Sequence, residues 1–162
     1  MPESLRPKRI AESRSTLSAL MGPQDTNSHG NVHGGVIMKL VDEAGAIAAM
    51  RHANRPVVTV AIDSMTFMEP VYVSNLVVCK AELTYVGRTS MEVRVEVVAE
   101  DPIRGTSRVV NNAYVVYVAL DDSGKPTPVP PLDYETVEER QRAQQAQARQ
   151  AYRKQHRAGE LR

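Results

Sequence analysis

Residues 32–50 read VHGGVIMKLVDEAGAIAAM, an almost wholly apolar run with Asp42 and Glu43 side by side in its middle. The run is too long for an ordinary strand and is rich in Ala, Leu, Met and Lys, which favour a helix. It predicts a helix from His33 to about His52, roughly five turns at 3.6 residues each. A helix that is apolar nearly all round has to be covered on most faces. Burying an unpaired carboxylate costs several kcal/mol, on the order of a domain's whole stability margin. Either the two acids reach a surface or they are kept for chemistry, and the rest of the chain has to wrap a greasy helix.

The wrapping is legible after Pro56. VVTVAIDSMTFM (57–68), NLVVCKAELTYV (75–86), SMEVRVEVVAE (90–100) and SRVVNNAYVVYVAL (107–120) read as strands joined by short turns, and STLSALM (15–21) reads as a further short one. In 75–86, Val77, Cys79, Ala81, Leu83 and Tyr85 alternate with Lys80, Glu82 and Thr84, the pattern of a half-buried strand. Short connections imply antiparallel pairing. The fold class is therefore α+β, a twisted antiparallel sheet curled around one long helix. Residues 1–14 read as a flexible tail, 15–127 as a single domain, and 128–162 as a proline-rich linker and a charged helix. That last helix either is solvated or lies across the domain or a partner through Leu132, Val137 and Tyr152. One sheet layer leaves an edge and a helix flank uncovered, so a homo-oligomer is expected, a dimer at least and possibly a tetramer or hexamer.

Of 162 residues the formal net charge is +1, so the charge balance argues for neither nucleic acid nor a membrane as partner. No apolar run reaches the roughly 18 residues of a membrane span free of charge, and MPESLRPKRIAES lacks the apolar centre of a signal peptide. The single cysteine, Cys79, excludes an internal disulfide and fits a reducing compartment. These features place the chain in the cytoplasm. His29 and His33 have the spacing of a helical metal pair, but Gly30 and Asn31 between them argue for a loop, and no metal is expected.

Two places carry candidate chemistry. His33-Gly34-Gly35 opens the long helix, where the first amides have no intrahelical partner and the helix dipole is positive. Glycines there let a ligand approach the backbone. The amides of Gly34 and Gly35, Gly35 favoured, are candidate donors to an oxyanion; the alternative is that both glycines only allow tight packing. Glu43 lies four residues after Lys39 and is accounted for by a surface ion pair. Asp42 points to an adjoining face with small residues at 45 and 46, which would leave room for substrate or a second chain. A partly desolvated carboxylate is a better base. Asp42 is read as a general base or, alternatively, as a nucleophile or as half of an interface salt bridge.

The series PQDTNSHGNVHGG, KLVDEAGAIAAMRHAN, VTVAIDSMTF and GKPTPVPPL, followed by an Arg/Gln/Glu-rich helix, resembles the hotdog-fold cytosolic long-chain acyl-CoA hydrolases and their bacterial single-domain relatives. The resemblance spans roughly residues 20–155 and implies acyl-CoA thioester hydrolysis, with coenzyme A as part of the substrate and no separate cofactor. It implies that the aspartate matching Asp42 is catalytic. It also implies that Asn27 matches the family's positioning asparagine, whereas from the residues alone Asn27 serves equally as a loop lock. In the family pattern the Asn of one chain and the Asp of another complete one site. A thioester substrate adds further candidates: His33 orienting the loop, Ser64 and Thr66 offering hydroxyls, and Arg88-Thr89-Ser90 receiving coenzyme A phosphates. Met38, Val41, Met65 and Met68 are candidate walls for the acyl chain. The alternatives are an acyl-CoA sensor without catalysis and a hotdog hydratase or dehydratase, whose chemistry wants a His and a carboxylate across the site.

Overall fold

A computed structural model describes residues 5–160. In chain order the elements are β1 (Lys8–Arg9), β2 (Ser15–Leu20), α1 (Gly34–Ala53), β3 (Val57–Phe67), β4 (Leu76–Val86), β5 (Ser90–Asp101), β6 (Thr106–Ala119), β7 (Leu132–Asp133) and α2 (Val137–Glu160). Five strands form one antiparallel sheet in the order β2-β4-β5-β6-β3, and β1 and β7 form a separate parallel pair. α1 lies on one face, where Val41, Ala44, Ala48 and Ala49 pack against Val77, Cys79, Leu83, Val93, Val95, Val115 and Tyr117. The small residues of α1 bring helix and sheet close. The β-branched residues of the strands then fill the gap, which is how a chain with so few aromatics closes its core.

α1 is tied at both ends and in its middle. It starts at the His33 cap and stops at Asn54, whose φ of 51° takes the left-handed turn that ends many helices. The Lys8 ammonium donates to the carbonyls of Arg51 and His52 and to Asn54 Oδ1, a cation placed on the negative end of the helix dipole. Ser15 Oγ donates to the Ala44 carbonyl at 2.7 Å. The segment read as a flexible tail is thus laid onto the domain from Lys8 onward, with Ile10 and Ser13 buried; residues 1–4 of that reading lie outside the described residues. Cysteine-poor, apolar packing also sets the chemistry of Cys79, whose thiol burial pushes up to about 12.

The C-terminal helix crosses the sheet face opposite α1, but not through the residues expected. Val137 and Tyr152 are exposed. The contact is made by Ala143 and Ala146, both buried, and by arginines. Arg142 pairs with Glu82 at 2.6 Å, Arg149 pairs with Glu92 at 2.8 Å and lies over the Tyr114 ring at 3.8 Å, and Arg153 pairs with Asp63. Long arginine stems cover apolar strand surface while their heads meet buried acids. That is why a helix with so little apolar sequence can dock. A cavity of about 750 Å³ lies between its last turns and Val60, Ile62, Val116 and Val118.

Candidate active site

β3 is the edge of the sheet next to α1, and its pairing with β6 slips twice, between Thr59 and Ala61 and again between Ile62 and Ser64. Such bulges re-aim side chains at sheet edges. Thr59 pairs with Tyr117 and faces α1, and Phe67 pairs with Asn111 on the same face. Between them the hydroxyls of Thr59 and Tyr117 reach the long helix at one residue, Asp42.

Asp42 is half-buried. Thr59 Oγ1 donates to its Oδ1 at 2.7 Å. The Tyr117 hydroxyl donates to the Asp42 main-chain carbonyl at 2.8 Å, with Oδ1 3.3 Å away. Oδ2 has no hydrogen-bond partner among the described residues. Tyr117 is wholly buried, and burial first, then the charge of Asp42, pushes its hydroxyl well above the usual tyrosine range, so it stays a donor. Glu43 turns outward and sits 3.9 Å from Lys39 on the surface, as the spacing predicts. The two neighbouring acids therefore have different fates. The space beside Asp42 attributed to the small residue at 45 is, however, already filled: a Cβ on Gly45 would meet the Tyr117 hydroxyl and come within 3.1 Å of its ring carbons.

At the start of α1, His33 Nδ1 accepts from the Gly35 amide at 3.0 Å. Gly35, the favoured oxyanion donor, is thus engaged by the helix cap. The Gly34 amide has no acceptor among the described residues. A Cβ on Gly34 would touch the Phe67 ring at 3.5 Å, so this amide lies beside an exposed aromatic surface. His33 makes no hydrogen bond to Asp42 or Glu43 among the described residues. Asn27 Oδ1 accepts from the amides of His29 at 2.9 Å and Asn31 at 3.2 Å, the loop-locking geometry weighed above. Its Nδ2 has no acceptor among the described residues, and Asn27 makes no hydrogen bond to Asp42 of its own chain.

The remaining candidates stand apart from Asp42. Thr66 pairs with Asn112, whose Oδ1 accepts from Arg94 on the α2 face, so Thr66 looks away from α1. Ser64, paired with Tyr114, shares that orientation. The hydroxyl that reaches the carboxylate is instead Thr59, which sequence reading passed over; Tyr117 was missed as well, although a tyrosine among Val115 and Ala119 on a core-facing alternation is a usable signal. Arg88-Thr89-Ser90 forms the β4–β5 turn. There the Thr89 and Arg88 carbonyls accept from the Ala119 and Val129 amides, and Ser90 lines the cavity under α2. The Arg88 side chain is exposed. Ser90 is two strand spacings, about 10 Å, from Val58 and shares its face of the sheet, the one turned away from Thr59 and α1. Of the proposed acyl-chain walls, Val41 lies in the core and Met65 packs against it, whereas Met38 and Met68 are exposed.

The sequence pattern of the thioesterase superfamily matches residues 29–106. The chain is 38% identical over 128 residues to an acyl-CoA thioester hydrolase of Bacillus subtilis, covering 79% of this chain and 74% of that one. It is 37% identical over 146 residues to the cytosolic acyl coenzyme A thioester hydrolase of Rattus norvegicus. That match takes in 88% of this chain, which spans only 38% of the rat protein's length. Among solved structures, an apo-hexameric acyl-CoA thioesterase superposes with a TM-score of 0.90 at 36% identity, over 95% of this chain and 99% of that one. The acyl-CoA hydrolase of Staphylococcus aureus, solved in complex with butyryl coenzyme A and coenzyme A, superposes at 0.87 and 35% identity over 95% and 94% of the two chains. The S. aureus enzyme has also been solved as variants with an aspartate, an asparagine or a threonine replaced by alanine.

Proposed function

The chain belongs to the acyl-CoA thioester hydrolases of the thioesterase superfamily, with the hotdog fold, and from that premise we propose that it hydrolyses acyl-CoA to a free carboxylic acid and coenzyme A. The observation that carries the reading is the divided carboxylate: Asp42 Oδ1 is held by a strand hydroxyl while Oδ2 has no donor among the described residues. Oδ2 takes a proton from water as the water oxygen attacks the thioester carbon. The carbonyl oxygen gains negative charge, and the Gly34 amide at the positive end of α1 is the donor that meets it. Collapse of the tetrahedral intermediate breaks the carbon–sulfur bond, and the coenzyme A thiolate leaves and is protonated.

In this reading Asn27 and Asp42 come from two copies of the chain, since they do not meet within one. β3 exposes Val58, Val60 and Ile62, an apolar strand whose outer edge has no pairing strand among the described residues and calls for a partner. A second copy on that edge brings its Asn27 amide to the thioester and closes the apolar surface of Met38, Phe67 and Met68 over the acyl chain. The hexameric state of the apo acyl-CoA thioesterase and the same three residue types altered in the S. aureus enzyme support this arrangement. Arg88, Thr89 and Ser90 stay candidates for the coenzyme A phosphates, at the end of the sheet where β3 begins. No separate cofactor is needed for this chemistry. The absence of any described helix long and apolar enough to cross a membrane is compatible with work in the cytosol.

The test is steady-state thiol release from acyl-CoA esters of increasing chain length. Asp42→Asn keeps the side chain's shape and removes the base. It should lower kcat by about two orders of magnitude or more with oligomer and fold retained. Near wild-type turnover in that variant rejects the assignment.

A further inference from the structure

We infer that Tyr117 is a positioning residue for the hydrolysis, and that Gly45 exists to admit its hydroxyl; this rests on Asp42 being the base. The hydroxyl comes up from the sheet through the core and stops against the second turn-pair of α1, donating to the Asp42 carbonyl at 2.8 Å with Oδ1 at 3.3 Å. It therefore grips the same residue at its backbone and at one carboxylate oxygen. Thr59 holds that same Oδ1 from the strand edge. Thr59 on Oδ1, with the single Tyr117 O–H shared between the main-chain carbonyl and Oδ1, fixes the plane of the carboxylate and leaves Oδ2 without a donor among the described residues, where water has to bind.

The sequence gives up helix stability for this contact. Glycine in a helix interior is destabilising relative to alanine. Position 45 is buried in the middle of a 20-residue helix whose neighbours at 44, 46, 48 and 49 are all alanine. Alanine at 45 would put its methyl onto the Tyr117 hydroxyl and ring. A phenylalanine at 117 would fill the core as well and would leave no buried hydroxyl to satisfy. The polar tip and the missing methyl make sense together, and the group they serve is the carboxylate of Asp42.

Tyr117→Phe should lower kcat by roughly tenfold or more on butyryl-CoA and palmitoyl-CoA while KM stays within about twofold. Gly45→Ala, which keeps the tyrosine and displaces its hydroxyl, should do the same. The two changes combined should cost no more kcat than either alone, and Tyr117→Phe should have no further effect in the Asp42→Asn background. A structural role would give the reverse: a lower Tm, additive losses and unchanged kcat in the folded fraction, and that result overturns the proposal. If Asp42→Asn abolishes turnover and Tyr117→Phe leaves kcat intact, only the role of Tyr117 falls. If Asp42→Asn is active, or the wild-type chain releases no thiol from either ester, the hydrolase reading falls and takes the proposal with it. Should Tyr117→Phe not fold, Gly45→Ala with the Tm and kcat readouts decides the same question.

Discussion

At Asp42 the two carboxylate oxygens are unequal, and neighbouring polar residues show how much such small differences matter. Asn27 uses its carbonyl oxygen to lock the loop and keeps its amide hydrogens. Asn27→Ala should therefore cost about 1 kcal/mol of stability through the lost loop bonds, and lower kcat by a larger factor than that stability loss explains. Parallel thermal melts and thiol-release kinetics separate the two; a change in Tm alone makes the residue purely structural. His52 is buried, with Nε2 2.7 Å from the Pro130 carbonyl, and burial first of all holds its pKa below 6.5. Unfolded chains take up the proton at a higher pH than folded ones. Its stability is complete above about 6.5 and drains away as pH falls from there through the depressed folded value. Melts between pH 7.5 and 5 should show Tm falling in that window, and His52→Gln should flatten the slope. Cys79, buried and pushed up, adds no reactive thiol to an assay that counts released coenzyme A.

Among the elements, α2 is the one whose attachment rests most on charge. Glu92 is 2% exposed at its side chain, and it accepts from Thr84 Oγ1 as well as from Arg149 Nε and Nη2. A buried acid is tolerated there because the Arg149 guanidinium arrives from the helix, with Arg153 a more distant second cation at 4.0 Å. Arg149→Met keeps the apolar stem and removes the hydrogen-bonded partner, and should destabilise the protein by about 3 kcal/mol, the low end of the cost of breaking a buried pair, since Arg153 stays nearby. Urea melts with fluorescence or circular dichroism measure this, and a loss below about 1 kcal/mol would mean that water already solvates Glu92. In the double variant Glu92→Gln with Arg149→Met most of the loss should return. α1, by contrast, is held by small residues and by tethers to its backbone from Lys8, Ser15 and Tyr117.

For the whole molecule the open question is the β3 edge. One chain holds one Asp42 and one Asn27 in separate places, with an exposed apolar strand beside the carboxylate. Val60→Lys puts a charge on that strand at a bulged position and should block edge pairing. The variant should run as a monomer in light scattering and lose nearly all thioesterase activity, with its Asp42 intact. A monomer with full activity would show that one chain completes the site alone. Mixing Asn27→Ala with Asp42→Asn chains should restore part of the activity if each site draws on two copies.

The sequence alone determined the helix, the strands and their order along the chain, because period and composition record which side of each element faces the core. It also singled out Asp42, since a charge inside an apolar helix stands out in any context, and it separated Glu43 by its distance from Lys39. Which hydroxyl reaches Asp42 was decided only in three dimensions: two bulges in β3 set the facing of Thr59 and Thr66, and nothing in the alternation of residues announces a bulge. The docking of α2 was likewise hidden, because its partners Glu82, Glu92 and Asp63 come from strands 57 or more residues away. Local pattern encodes what each segment buries; only chain crossing decides which distant atoms it is buried against.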